Sequence, residues 1–179
     1  MTRLLLLVGM PGCGKGELIN IAEEMGYSSL IMGDIVRDEA VKRGKDIKDS
    51  GMIAQQLRME KGNSAIAQLS IPKLKGKEKW IIDGIRGYSE VLEFKKHFDT
   101  KVIAIHSSPL KRFERLKTRG RGDDPKDFEE FCERDHRELG FGIGDAIALS
   151  DIMMVNEDGL DDFRKAISTT LGKLDKDED

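Results

Sequence analysis

Gly9 to Leu18 reads GMPGCGKGEL and follows directly on the apolar run LLLLV. Gly9, Gly14 and Lys15 meet the spacing G-x-x-x-x-G-K-[ST], in which glycines let backbone N–H groups turn toward phosphate oxygens and the lysine adds a full positive charge. A helix amino terminus opening at Lys15 adds partial positive charge to the same place. Pro11, Gly12 and Cys13 complete the loop. Gly16 stands where the motif has a metal-binding hydroxyl, and Glu17 puts a carboxylate close to where phosphate oxygens would lie. Three roles are open to Glu17: a metal ligand, an outward-pointing side chain, or a repulsive charge that weakens triphosphate binding.

Further along, three other groups have the right chemistry for the same reaction. The segment WIIDGIRG ends an apolar run on Asp83, with Arg86 just beyond it. An acidic residue after an apolar strand is suited to Mg²⁺, held directly or through water. Asp83 is therefore the expected metal carboxylate in place of Gly16, with Asp34 or Glu17 as candidate helpers. In MGDIVRDEA, Arg37 follows Asp34 by three positions and is suited to an anion. The segment SPLKRFERLKTRGRGDDP has a helix start near Pro109 and delivers Arg115 and Arg119 one turn apart, then Arg121 ahead of paired aspartates. Phosphoryl transfer spreads negative charge over equatorial oxygens, and guanidinium forks can hold donor and acceptor phosphates together.

These residues need elements to position them. Five short apolar runs, RLLLLVG, SSLIMGD, KWIIDGI, KVIAIHS and DIMMVNE, alternate with helical patterns. That alternation predicts a parallel sheet wrapped by helices. Leu18, Ile21, Ala22 and Met25 have helical spacing, as do Leu160, Phe163, Ile167 and Leu171. In FEEFCERDHRELGFGIG, Glu130 with Arg134 and Glu133 with Arg137 are spaced for helical ion pairs. Arg134 is the arginine of this helix expected to turn inward, and GFGIG reads as a turn. The final KLDKDED has no apolar periodicity and is expected to fray.

Composition bounds the alternatives. At 179 residues and 39% hydrophobic content, the chain supports one well-buried domain. A net charge of −3 gives no global pull toward nucleic acid or an anionic membrane, so neither is an expected partner. The leading apolar run is far shorter than the roughly 20 residues of a membrane span, and a cytoplasmic location is expected. Two cysteines, one inside the glycine loop, argue against a disulfide framework, and His97, His106 and His136 have no zinc-ligand spacing.

The glycine loop, read as GxPGxGKG, resembles that of adenylate kinases and related nucleoside monophosphate kinases, although those continue with threonine where Glu17 stands. The G-D-x-x-R of Asp34 and Arg37 resembles the acceptor segment of that family, which implies that Arg37 grips a monophosphate. D-G-I-R resembles its D-G-F-P-R with the proline missing, which places Arg86 at the acceptor but shifts it by one position. R-x-x-x-R followed by G-R-x-D-D resembles the start of the family's lid. This implies that Arg115 stacks on the donor base while Arg119 and Arg121 contact phosphates. Asn156 and Gly159, in VNEDGLDDF, resemble the N-x-x-G loop of dephospho-coenzyme A kinases, beside adenine. As a whole the chain resembles a small archaeal group of adenylate-kinase-related proteins.

The expected fold is therefore α/β, a three-layer P-loop kinase fold with a five-stranded parallel sheet flanked by helices. It is read as one domain, with core segments 1–33, 79–117 and 151–174, an acceptor-binding insertion at about 34–78 and a lid at about 118–150. The expected activity is ATP-dependent phosphoryl transfer with Mg²⁺ to a small phosphorylated acceptor, a nucleoside monophosphate. Lys15, Arg119, Arg121 and Arg134 are the catalytic cations. Two rivals remain: a kinase of a small-molecule hydroxyl with Asp34 as base, and a nucleotide-binding regulator without catalysis, to which Glu17 and Gly16 point.

Overall fold

The computed structural model describes residues 2–122 and 124–176. All five apolar runs form strands: β1 (Arg3–Val8), β2 (Ser28–Ile31), β3 (Lys79–Asp83), β4 (Asp99–His106) and β5 (Ile152–Val155). They pair in parallel in the order β2-β3-β1-β4-β5. β1 is central and fully buried, which is why its run is apolar at consecutive positions instead of alternating. Leu4, Leu6 and Val8 face one core layer and Leu5 and Leu7 the other, as the two-residue period of a strand requires.

The second layer is closed by α1 (Lys15–Glu24) and α9 (Leu160–Lys176), which bring Leu18, Ala22, Phe163, Ile167 and Leu171 against Leu5, Leu7 and Ile103. On the first layer lie α2 (Met32–Lys42), α3 (Ser50–Lys61), α4 (Ala65–Ser70) and α5 (Tyr88–Lys95). Beyond β4 come α6 (Pro109–Arg119), α7 (Phe128–Gly140) and α8 (Ile143–Ala148). Pro109 opens α6, where its missing N–H costs nothing. Among the described residues no helix is long and apolar enough to cross a membrane.

Three sequence expectations need correction. The second apolar run gives a strand only to Ile31, whose partner Asp83 ends β3; Met32 already begins α2, so Asp34 lies in a helical first turn and not at a strand end. The carboxyl-terminal segment does not fray within the described residues. Leu174 continues the period of Phe163, Ile167 and Leu171 into the core, and α9 runs to Lys176; residues 177–179 lie outside the described part. Finally, α8 belongs to the core, with Ile143 and Ala146 buried, so the segment standing away from the sheet is shorter than 118–150.

Candidate active site

The phosphate-loop residues connect β1 to α1 at the carboxyl edge of the sheet. Because β1 lies between β3 and β4, this edge is where chain connections diverge to opposite sides, the usual place for a ligand crevice. A cavity of about 780 Å³ opens there. Gly12 and Gly14 are glycines for two reasons: their φ angles are +82° and +107°, and an added Cβ would come within 2.8 Å of the Arg112 carbonyl oxygen or 2.4 Å of Asn156 Nδ2. The loop is thus packed tightly from behind by α6 and by the segment after β5.

Gly9, Pro11, Gly12, Gly14, Lys15, Gly16 and Glu17 all line the cavity. Cys13 does not. Its side chain is buried, and its carbonyl accepts hydrogen bonds from Asn156 Nδ2 (2.9 Å) and Ser107 Oγ (3.3 Å). Lys15 Nζ donates to the Gly9 carbonyl at 2.7 Å, arching over the loop. Of the three roles open to Glu17, the structure places its carboxylate on Arg164 of α9, whose Nε donates at 2.8 Å.

Asp83, at the end of β3, lines the cavity, and its buried Oδ1 has no hydrogen-bond partner among the described residues. A buried anionic oxygen left unsatisfied is costly, and a ligand that supplies positive charge or a donor relieves it. Arg86 also lines the cavity. Its backbone N–H donates to Glu90 Oε2 at 2.7 Å, and its guanidinium pairs with Glu138 of α7. Glu90 is buried almost completely, which pushes its carboxyl upward, while Arg58 and the Arg86 N–H act in the opposite direction.

Arg115, Arg119, Arg121 and Arg134 reach the same cavity from α6, from the segment after it and from α7. Arg115 is fixed by Ser107 Oγ (2.8 Å) and the Asn156 carbonyl (3.0 Å). Asn156 is buried and ties the end of β5 to the phosphate loop; Gly159 is exposed and stands outside the cavity lining, which Asp158 and Leu160 join instead. Asp34 and Arg37 are not brought to the cavity at all. They pair with each other on the exposed face of α2, three residues apart.

Sequence reasoning missed two residues that brace the site, and the first organises this arginine cluster. Asp124 accepts from Arg119 Nε (2.9 Å) and the Arg121 N–H (2.9 Å), and lies 3.5 Å from Arg134 Nη1. Its side chain is 2% exposed, and the Arg119 hydrogen bonds above all pull its pKa down to about 2. The paired aspartates after Arg121 were the available signal; Asp123 lies outside the described residues. Arg134 thus reaches out of its helix to Asp124, and Glu130 caps the Lys126 N–H (2.8 Å), in contrast to the expected pairing of the two along the helix. The other missed residue is Arg112, 4% exposed. It donates to the carbonyls of Ser107 (3.1 Å) and Pro11 (3.2 Å) and makes a two-pronged pair with Asp135.

The comparisons with known proteins agree with this architecture. Residues 8–132 match the model of the AAA domain family. A UPF0200 protein of Thermococcus sibiricus is 46% identical over 96% of this chain and 95% of its own length. A UPF0200 protein of Methanocaldococcus jannaschii is 46% identical over 96% of this chain and 90% of its own. Among solved structures, TT1252 from Thermus thermophilus superposes with a TM-score of 0.68 at 15% identity, covering 97% of this chain and 98% of that one. A dephospho-CoA kinase from Campylobacter jejuni gives 0.60 at 16% identity, with 100% of both chains covered. The chain accordingly belongs to the UPF0200 family of archaeal proteins, carries an AAA-type nucleotide-binding domain, and has the P-loop kinase fold.

Proposed function

We propose that the protein is an ATP-dependent phosphotransferase whose acceptor is a nucleoside monophosphate, ribo or deoxy. The observation that carries this reading is the set of six cations around one cavity: Lys15, Arg86, Arg115, Arg119, Arg121 and Arg134. They come from both sides of β1, Arg86 after β3 and the others after β1 and β4. Such a distribution suits two phosphate groups meeting over the loop. No protein nucleophile is required, because an acceptor phosphate oxygen attacks while the site positions and neutralises. Lys15 and the loop N–H groups hold the donor phosphates, Arg119, Arg121 and Arg134 neutralise the transferring group, and Arg86 holds the acceptor phosphate.

Asp83 is the residue to hold Mg²⁺. Its buried, unpartnered Oδ1 fits that role, and a single carboxylate is normal for an ion bound mainly through substrate phosphates and water. When bound there, the ion would supply positive charge that neutralises the charge developing on the phosphates.

A second reading, a kinase of a hydroxyl, is supported by Arg37 standing outside the cavity, which leaves Arg86 as the acceptor arginine, but Asp34, paired with Arg37 there, is not placed to be its base. Formation of ADP should be measured against ribo- and deoxynucleoside monophosphates and dephospho-coenzyme A. Lys15→Met is expected to abolish turnover with the fold intact. Arg86→Ala should raise the acceptor KM about 10–100-fold, as loss of a charge-assisted bond implies, with the ATP KM nearly unchanged. Turnover of dephospho-coenzyme A alone would establish the second reading. No turnover with any acceptor, ATP still binding, would leave a nucleotide-binding regulator.

A further inference from the structure

One face of α7 connects the two halves of the cavity. Phe131, Asp135 and Glu138 recur at i, i+4 and i+7 and therefore lie along a single stripe. Phe131 lies beneath the Arg112 guanidinium, 4.9 Å from ring centroid to charge. Asp135 takes both terminal nitrogens of Arg112, whose Nη1 also reaches the Pro11 carbonyl at 3.2 Å. One end of the stripe is thus fastened to the phosphate loop. The other end is fastened to the loop after β3, where Glu138 pairs with Arg86 Nη1. Glu138 engages only that nitrogen. The Nε and Nη2 edge of Arg86 bonds no described residue, and this edge has the fork geometry that takes two phosphate oxygens.

The carboxyl end of α7 is also locked. Gly142 turns the chain into α8, whose Ile143 and Ala146 are buried in the core. The Phe141 carbonyl oxygen lies so close to Gly87 that an added Cβ would be 2.8 Å away, and Arg58 covers the Phe141 ring at 5.3 Å. Parting Arg112 (4% exposed) from Asp135 (16%) would leave a costly unpaired charge, and Glu138 (12%) is held in the same way on its own side, although its partner Arg86 is 40% exposed.

We infer that α7 is a fixed strut, with Asp135 and Glu138 as positioning residues that set the spacing between the phosphate loop and the Arg86 loop. Asp135 acts through Arg112 on the donor side, and Glu138 through Arg86 on the acceptor side. This rests on the phosphotransferase reading above.

The test uses the full chain with Asp135→Asn and Glu138→Gln. Glu138→Gln should raise the acceptor KM roughly tenfold with the ATP KM unchanged, and Asp135→Asn should do the reverse. A lowered melting temperature with both KM values unaltered would make the contacts merely structural and overturn the proposal. A fall in the acceptor KM of Glu138→Gln would overturn it too, because Glu138 would then be competing for Arg86. In a separate arm, spin labels on the native Cys132 of α7 and on Lys165→Cys of α9 report the distance between strut and core, while the buried Cys13 stays unlabelled. The distance should be the same with and without Mg²⁺ and the ATP analogue AMP-PNP, and a displaced distribution overturns the strut. The two readings fail differently. Absence of AMP-PNP binding by calorimetry removes the phosphotransferase and the strut's function with it, whereas normal turnover with a moving α7 removes the strut alone.

Discussion

Gly16 and Gly14 are close neighbours in the phosphate loop, and a side chain would have opposite consequences at each. At Gly14 a Cβ would strike Asn156, but at Gly16 nothing lies within 4 Å of one, and the backbone is ordinary helix. The missing hydroxyl is therefore not a demand of packing. Glu17 is held by Arg164, whereas the buried Oδ1 of Asp83 bonds no described residue, which makes Asp83 the stronger metal candidate of the two. Gly16→Ser should keep the fold, add a few tenths of a kcal/mol from helix propensity, and lower the Mg²⁺ concentration for half-maximal turnover. Asp83→Asn should raise that concentration strongly and Glu17→Gln should barely move it. Metal titrations of the three variants decide the matter. A larger defect in Glu17→Gln than in Asp83→Asn would mean that the metal sits on the other carboxylate.

Among the elements, the described part of the segment joining α6 to α7 is held by the buried carboxylate of Asp124. Asp124 has a pKa near 2 in the fold against an ordinary value of 3.8, so its interactions are worth most when it is ionised. Their contribution is complete above about pH 4 and disappears as the pH falls toward 2. Asp124→Asn should accordingly be less stable than the parent near neutrality, with the gap closing across that acid window, as denaturant melts at successive pH values would show. A gap independent of pH would disprove the linkage. Asp124 also marks the limit of what the sequence discloses. The strands were legible because burial on both faces leaves consecutive apolar residues, as in Leu4 to Val8, and Lys15 and Asp83 were legible because residue type and distance from a strand end suffice. Arg112, by contrast, looks no different in sequence from its exposed neighbour Lys111; only the arrival of Asp135 from 23 residues away makes it a buried brace. Arg37 is a different case, since Asp34 lies in the same sequence motif, and only the fold shows that the two pair on the surface of α2 outside the cavity lining.

At the scale of the whole molecule, the edge of the sheet opposite the cavity is closed by α9. Tyr27 Oη and Lys79 Nζ each donate to Asp175 at 2.8 Å, and Arg3 Nη1 donates to the Leu174 carbonyl at 2.6 Å. Burial, together with Asp175, pushes the Tyr27 hydroxyl well above its usual range. Asp175→Ala strands the Tyr27 and Lys79 donors and should cost about 1–3 kcal/mol, read as a lower denaturant midpoint with turnover unchanged. An unaltered midpoint would show the latch to be decorative. The central place of β1 has a different consequence, which concerns the chain while it is being made. Its two neighbours are β3, beginning at Lys79, and β4, ending at His106. The most apolar strand is made before both of its neighbours and has no partner on either side until the chain has been extended past Lys79. Throughout that interval its unpaired backbone and five exposed aliphatic side chains form a sticky edge of the kind that nascent-chain chaperones shield. The phosphate loop is therefore tethered, during synthesis, to the segment of the protein most prone to aggregate.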